Sequence, residues 1–494
     1  MIEQLTAGAE AAAVADAPKR LLIDGAWVDA ADGGTFGVED PSTGAVLCEV
    51  ASATPEDGLA ALAAADAAFA GFRATAPRQR ADLLRDAYDL VRERAEQLAL
   101  LMTLEMGKPL AEAHGEVTYA AEFLRWYSEE AVRINGRFTT AEAGGARVLT
   151  MRQPIGPCLF VTPWNFPLAM GARKIGPALA AGCTAVVKPA AQTPLSMLAL
   201  GAIFTEAGLP DGVLNVVPTD MAGAVVAPMM RDARLRKLSF TGSTAVGRRL
   251  IEQSADQVLK VSMELGGNAP FLVFADADLD AAVEGALLAK MRNGGEACTS
   301  ANRFHVQAEV AEAFARRLAE RMAAMPVGRG TAPGVGMGPL IDARQRDKVA
   351  ALVADAVGRG ADVLCGGEAG PGDGYFYAPT VLGGVPPDAE LLREEIFGPV
   401  APVVPFADER EAIAMANATE YGLAAYLYTR DLDRAVRVAE ALDVGMIGLN
   451  RGVVSNAGAP FGGMKHSGFG REGGPEGLDE YLETKYLAID VAGT

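Results

Sequence analysis

One pattern constrains this chain more than any other. From residue 158 onward, short apolar runs recur, each closed by turn residues and separated from the next by a loop or a helix-length segment. Residues 158–162 lead into Pro-Trp-Asn, 185–187 into Lys-Pro, and 213–217 into Pro-Thr. Residues 237–240 before Thr-Gly-Ser and 260–263 before Glu-Leu-Gly-Gly continue the series. Between them lie helical segments such as 194–207 and 245–254. Parallel strands need long crossovers, helices supply them, and the sheet ends up covered on both faces. The alternation resumes beyond Gly267, with strands at 270–274 and 304–307 and helices at 278–292 and 310–325. In the first of these helices Leu279, Val283, Leu287 and Met291 form one apolar side. The pattern therefore predicts an α/β protein of two doubly wound domains with a junction near Gly266-Gly267. Upstream, residues 55–127 read as helical, with Leu84, Tyr88 and Val91 at helical spacing. Two strand-like segments fit neither domain: 137–153, a hairpin around Gly144-Gly145, and the tail 485–491. They are expected to pair with each other or with a neighbouring subunit.

Charge and cysteine content remove other classes. The net charge is 44 − 63 = −19, which argues against a basic nucleic-acid face or binding to an anionic membrane leaflet. A small anionic ligand needs only two or three local cations and stays open. Five cysteines without a C-x-x-C, and three scattered histidines, give neither a disulfide framework nor a metal site. The acidic N-terminus is expected to be neither a signal nor a transit peptide. The uncharged stretch 153–172 is long enough to span a bilayer but holds Pro154, Pro157, Pro163 and Pro167. A cytoplasmic protein is expected.

Several positions carry chemistry. Cys298 sits in the glycine-containing loop Asn293-Gly-Gly-Glu-Ala-Cys298-Thr299, unlike Cys158 and Cys183, which lie in apolar runs. Flanking glycines let the backbone approach a ligand closely, and a nucleophilic thiol needs access and a favourable field. Glu264 ends a strand, where ligands of a parallel sheet collect and a general base could act. Asn165, just past another strand, is either a turn former or a donor to an oxyanion. The stretch from Gly242 through Ser243 to Gly247 follows a strand and opens a helix, so its amides could face a phosphate. It lacks the middle glycine of the usual dinucleotide fingerprint.

Together these motifs resemble the aldehyde dehydrogenase superfamily over nearly the whole chain after about Leu21. Seven occur in order: Pro163-Trp-Asn-Phe-Pro167, Lys188-Pro189, Phe240-Thr-Gly-Ser243, Glu264-Leu-Gly-Gly267, Cys298, Glu395-Ile-Phe-Gly-Pro399 and Pro460-Phe-Gly-Gly463. The resemblance implies a Rossmann-like cofactor domain (1–136 and 155–266), a catalytic domain (267–470), and oligomerisation strands (137–154 and 480–494). It implies a homodimer or homotetramer. Cys298 would attack the aldehyde, Asn165 and the Cys298 N–H would hold the oxyanion, and Glu264 would activate the hydrolytic water. Lys188 would bind the adenosine ribose, Ser243 the pyrophosphate and Glu395 the nicotinamide ribose, with Phe397 beside the nicotinamide. Thr162, Pro163, Trp164, Ala191, Gly242, Gly247 and Leu265 complete the implied cofactor set.

Two departures and one trio refine the expectation. Ala191 stands where NAD-preferring relatives carry a glutamate that would repel a 2′-phosphate, so NADP is expected to be accepted at least as well as NAD. Ser300 replaces a second cysteine found in one subgroup, which removes a Cys-x-Cys switch. Arg173, Arg292 and Ser455, with Phe461, resemble the carboxylate clamp of succinate-semialdehyde dehydrogenases; guanidinium–carboxylate pairing favours arginine over lysine. The expected reaction is oxidation of succinate semialdehyde. Glutarate semialdehyde, transfer of the thioester to coenzyme A and a catalytically silent dinucleotide-binding protein are the alternatives.

Overall fold

The computed structural model describes residues 7–491. Residues 1–6 of the expected cofactor domain and 492–494 of the expected C-terminal strand lie outside the described residues. Five parallel strands form the centre of an eight-stranded sheet, in the order Lys260–Glu264, Lys237–Thr241, Cys158–Val161, Ala185–Lys188, Leu214–Val216. The first strand along the chain, Cys158–Val161, thus has the second on one side and the fourth on the other. Winding direction reverses there, which opens a crevice beyond the C-terminal strand ends. One face of this sheet packs against Ala169–Ala181, Leu195–Glu206 and the helices Pro77–Glu93, Ala95–Met106 and Leu110–Glu130. The other packs against Pro55–Arg73, Ala222–Arg231 and Thr244–Ser254. Pro55–Arg73 opens on a capping box: Asp57 N–H donates to the Thr54 hydroxyl, and Thr54 N–H donates to the Asp57 carboxylate.

A seven-stranded sheet follows, in the order Asp362–Cys365, Thr380–Gly383, Val400–Phe406, Ala301–Gln307, Ala269–Val273, Ala424–Tyr428, Met446–Leu449. All neighbours are parallel except the first pair. Leu279–Met291 and Ala308–Ala323 cover one face; Glu409–Asn417 and Leu432–Ala441 cover the other. The segment 265–268 joins the two sheets, so Glu264 is the last strand residue of the first and stands at their junction.

Antiparallel additions were not in the alternation pattern. The hairpin of Leu21–Ile23 and Ala26–Val28 extends the first sheet at one edge. Its turn residues Asp24 and Gly25 have φ of 51° and 75°, the positive pair a tight hairpin requires. At the other edge Gly468–Phe469 pairs with Met263 and Glu264. The segment 267–470 therefore does not stay within one sheet, because this short strand returns to close the edge beside Glu264. Ala146–Pro154 pairs antiparallel with Arg137–Thr140 on one side and Leu482–Asp490 on the other, with Leu482 opposite Pro154 and Asp490 opposite Ala146. The two orphan segments do pair with each other. Among the described residues no helix is long and apolar enough to cross a membrane.

Candidate active site

The crevice holds a cavity of about 230 Å³ lined by residues from both sheets. Pro163, Trp164 and Asn165 come from the end of Cys158–Val161, Gly242 and Ser243 from the end of Lys237–Thr241, and Glu264 and Leu265 from the junction. Cys298, Glu395 and Phe397 enter from the second sheet. Ten of the residues singled out in the sequence thus meet in one place. Thr162 and Gly247 lie behind the lining: Thr162 N–H donates to Lys188 O at 3.2 Å. A Cβ on Gly247 would stand 2.4 Å from Leu265 Cδ2, so this glycine serves close helix-to-strand packing.

Cys298 owes its position to an abrupt helix end. Leu279–Met291 stops one residue short of the expected boundary, and Asn293, Gly294 and Gly295 then take φ of 55°, 61° and 81°. Gly295 is required there, since a Cβ would stand 2.2 Å from Gly398 O. The loop delivers a half-buried thiol whose backbone N–H makes no hydrogen bond among the described residues. The field differs from the expectation. Burial pushes the Cys298 thiol up to about 12; Arg173 and Arg292 favour the thiolate, but Glu264 and Glu395 oppose them. The thiol is protonated at neutral pH until something removes its proton.

Glu264 is buried, and its Oε2 has no hydrogen-bond partner among the described residues. Burial, then the negative charge of Glu472, hold its carboxyl well above the usual range despite Arg173 and Lys174. Such a carboxylate is a strong base once ionised. Asn165 donates one amide hydrogen to Glu296 O at 3.0 Å and keeps the second. Its backbone carbonyl accepts from Lys108 Nζ at 2.8 Å and from Asn293 Nδ2 at 3.0 Å. Lys108 is in turn paired with Glu116 at 2.5 Å, both fully buried, and Glu116 accepts from Leu168 and Ala169 N–H at the start of Ala169–Ala181. Removing one member of such a pair costs about 3–5 kcal/mol because it strands the other.

Glu395 accepts from Gly267 N–H at 3.0 Å, and burial raises its carboxyl to about 7. Phe397 is held at φ 54°, its carbonyl accepting from Gln345 Nε2 at 2.6 Å and its ring edge-on to Trp164 with centroids 5.3 Å apart. Lys188, at the end of Ala185–Lys188, is 6% exposed and makes no ion pair or side-chain hydrogen bond among the described residues. Burial alone lowers its ammonium to about 8. Ala191, three residues on, offers no carboxylate. A buried, unpaired cation beyond the strand end and a helix start capped by Ser243 suit an anionic dinucleotide.

The implied clamp is arranged differently from the expectation. Arg292 and Ser455 line a second cavity of about 730 Å³ with Tyr119 and Phe166, and Arg292 Nη1 donates to Ser455 Oγ at 3.4 Å. Arg292 has no carboxylate partner among the described residues. Arg173 has one: its Nε donates to Glu472 Oε2 at 2.7 Å, its Nη2 makes an ion pair with the same oxygen, and Lys174 takes Oε1. Its Nε edge is therefore committed within the protein. Burial alone would raise the Glu472 carboxyl, but Arg173 and Lys174 outweigh it and hold it at about 2. The Arg173 guanidinium lies 4.0 Å over Phe461, whose backbone bonds to Glu472 in both directions.

Sequence reasoning missed Lys108, Glu112, Glu116, Asn293, Glu296 and Glu472 as site-forming residues. Lys108 and Glu116 lie in a stretch read only as periodic helix, and Glu472 meets partners almost three hundred residues away. A two-sheet α/β fold with a thiol, a carboxylate and an amide gathered at the sheet junction defines an oxidoreductase of dinucleotide-binding build. The chain belongs to the aldehyde dehydrogenase family, which it matches over residues 27–487. It is 59% identical over 444 residues to a succinate-semialdehyde dehydrogenase of Paenarthrobacter nicotinovorans, covering 90% of this chain and 99% of that one. It is 51% identical over 471 residues to a glutarate-semialdehyde dehydrogenase of Pseudomonas aeruginosa, covering 95% and 97%. The crystal structure of an Escherichia coli NADP dependent enzyme superposes with a TM-score of 0.95 at 50% identity, covering 96% and 98%.

Proposed function

We propose that this protein oxidises succinate semialdehyde to succinate with reduction of NADP, NAD being the alternative acceptor. The Cys298 sulfur attacks the aldehyde carbon as the thiolate, its proton passing to water, and forms the C–S bond of a thiohemiacetal. The resulting oxyanion accepts from the second amide hydrogen of Asn165 and from the unengaged Cys298 N–H. When bound, the dinucleotide supplies the hydride acceptor, for which Lys188, Ser243, Glu395 and Phe397 are the holding residues. Loss of hydride leaves a thioester on Cys298. Glu264 then deprotonates a water that attacks the acyl carbon; the C–S bond breaks, and Glu264 returns that proton to the departing sulfur as the acid leaves and ionises to succinate.

Arg292 carries the substrate reading: a guanidinium without a carboxylate partner, hydrogen-bonded only to Ser455, in a cavity it shares with Tyr119, Phe166 and the carboxylates Glu112, Glu116 and Glu284, each engaged elsewhere. A carboxylate at the far end of the aldehyde supplies its missing partner. Arg292→Ala is expected to raise KM for succinate semialdehyde about 10–100-fold, the worth of a charged hydrogen bond, and to spare butanal. Equal losses on both substrates would overturn the clamp. Similarity to a glutarate-semialdehyde dehydrogenase favours that substrate as the second reading; one methylene shifts discrimination by about 1–3 kcal/mol. The water-activating role of Glu264 favours hydrolysis over transfer to coenzyme A. For the cofactor, unpaired Lys188 and uncharged Ala191 support NADP; a kcat/KM ratio favouring NAD by more than about tenfold would refute it.

The residues 1–136 with 155–266 are assigned to cofactor binding and 267–470 to catalysis. The three-stranded sheet leaves Phe138, Tyr486 and Leu487 exposed, which supports its use in a homodimer or homotetramer. Five free cysteines suit the reducing cytoplasm. Light scattering of the purified protein tests the assembly.

A further inference from the structure

The cavity beside Arg292 contains a further donor, the Tyr119 hydroxyl. Tyr119, on Leu110–Glu130, lines the cavity with Arg292, Ser455 and Phe166. Its hydroxyl is shut off from solvent and makes no hydrogen bond among the described residues. A buried hydroxyl without a partner is unfavourable and asks for an explanation. The ring is not loose: it meets Phe123 edge-on with centroids 4.9 Å apart at 71°, and the Arg292 guanidinium lies 5.9 Å from its centre. Phe123 in turn lies under Arg173, 5.9 Å from that guanidinium. Tyr119 therefore neighbours Arg292 directly and Arg173 through the Phe123 ring.

Counting donors and acceptors makes the deficit plain. The Tyr119 hydroxyl has no protein acceptor among the described residues, and the Arg292 guanidinium makes only one long hydrogen bond, to Ser455 Oγ. The carboxylates nearby are engaged: Glu116 with Lys108 and two backbone N–H groups, Glu112 with Asn293 N–H, Glu284 with Arg321, Glu472 with Arg173 and Lys174. A group with two oxygens and no hydrogens to donate satisfies what is left.

We propose that the Tyr119 hydroxyl donates to the distal carboxylate of the substrate and is a specificity-determining residue alongside Arg292 and Ser455. Arg292 supplies charge; Tyr119, fixed by Phe123, supplies direction and selects aldehydes whose anionic group reaches its hydroxyl. The assignment rests on the carboxylated-aldehyde reading of Arg292.

Tyr119→Phe removes one oxygen and keeps the ring packing, so it tests the hydroxyl alone. The purified full-length protein and its Tyr119→Phe and Arg292→Ala variants are assayed with succinate semialdehyde and with butanal, and succinate is titrated as an inhibitor of butanal oxidation. Tyr119→Phe is expected to raise KM for succinate semialdehyde and the inhibition constant of succinate about tenfold, leaving butanal kinetics unchanged. Unchanged succinate semialdehyde kinetics, or equal losses on both aldehydes, overturn the assignment. If Arg292→Ala is selective and Tyr119→Phe is not, Tyr119 alone is misassigned. If neither is selective, the clamp itself is wrong.

Discussion

Gly267 is the point at which a single methyl group should separate catalysis from folding. It follows Glu264 by three residues and passes close under the nucleophile loop. An ideal Cβ there would stand 2.4 Å from Cys298 O, with Leu423 Cβ at 3.5 Å on another side. Ordinary contact starts near 3.4 Å, so the carbonyl must retreat by 3.4 − 2.4, or about 1 Å. That carbonyl belongs to the residue carrying the sulfur and the oxyanion N–H, and a 1 Å misplacement costs on the order of 10²-fold in rate, about 2.7 kcal/mol of transition-state stabilisation. Gly266 is the matched control. Its Cβ would meet Glu395 Oε2 at 3.0 Å, a Tyr421 ring carbon at 3.2 Å and Thr244 Oγ1 at 3.3 Å, all side-chain atoms that can give way. The assay is kcat/KM for succinate semialdehyde with NADP, beside circular dichroism and the thermal midpoint. Gly267→Ala should lose about a hundredfold and Gly266→Ala less than about tenfold, both with native spectra. A fully active Gly267→Ala, or equal losses in the two variants, would refute the reasoning.

Two further predictions concern pH. Because burial holds the Cys298 thiol up to about 12, the rate of inactivation by iodoacetamide in the ligand-free protein should rise about tenfold per pH unit through pH 10; a plateau near pH 8 would contradict it. Glu395 is raised by burial to about 7, so it is protonated below that pH and becomes an acceptor above it. KM for NADP should therefore fall as pH rises from 6 to 8, and Glu395→Gln should abolish the change; an equal pH dependence in both proteins removes Glu395 from cofactor binding.

The parallel strands were legible because each apolar run ends in turn residues; strand-end chemistry pointed to Glu264, Asn165 and the stretch from Gly242, and the rest of the lining came from the family resemblance. Residue type and local setting marked Cys298, Glu264 and Asn165 as candidates, while their roles came from the family resemblance. The short antiparallel edges were not: Gly468–Phe469 has two residues and no periodicity, although Asp24-Gly25 was a usable hairpin signal. The charged residues that build the site escaped for another reason. Lys108 and Glu116 lie in a stretch whose pattern shows only helical periodicity, and nothing local announces that the fold buries both; Glu472 gains its role only by meeting Arg173 and Lys174. That meeting also changed the clamp, since no local pattern announces that an arginine already has a carboxylate. Fields are likewise not local: the loop of Cys298 reads as accessible, yet burial between two carboxylates raises its thiol.

The covalent route through Cys298 is tested most directly by trapping its thioester. Glu264→Gln removes the base that activates water, so the acyl group should accumulate when the variant is mixed with succinate semialdehyde and NADP. After acid quench and proteolysis, mass spectrometry should find one succinyl group per chain on the peptide carrying Cys298, and none in Glu264→Gln combined with Cys298→Ser. Succinylation of another cysteine, or turnover without any adduct, would contradict the account.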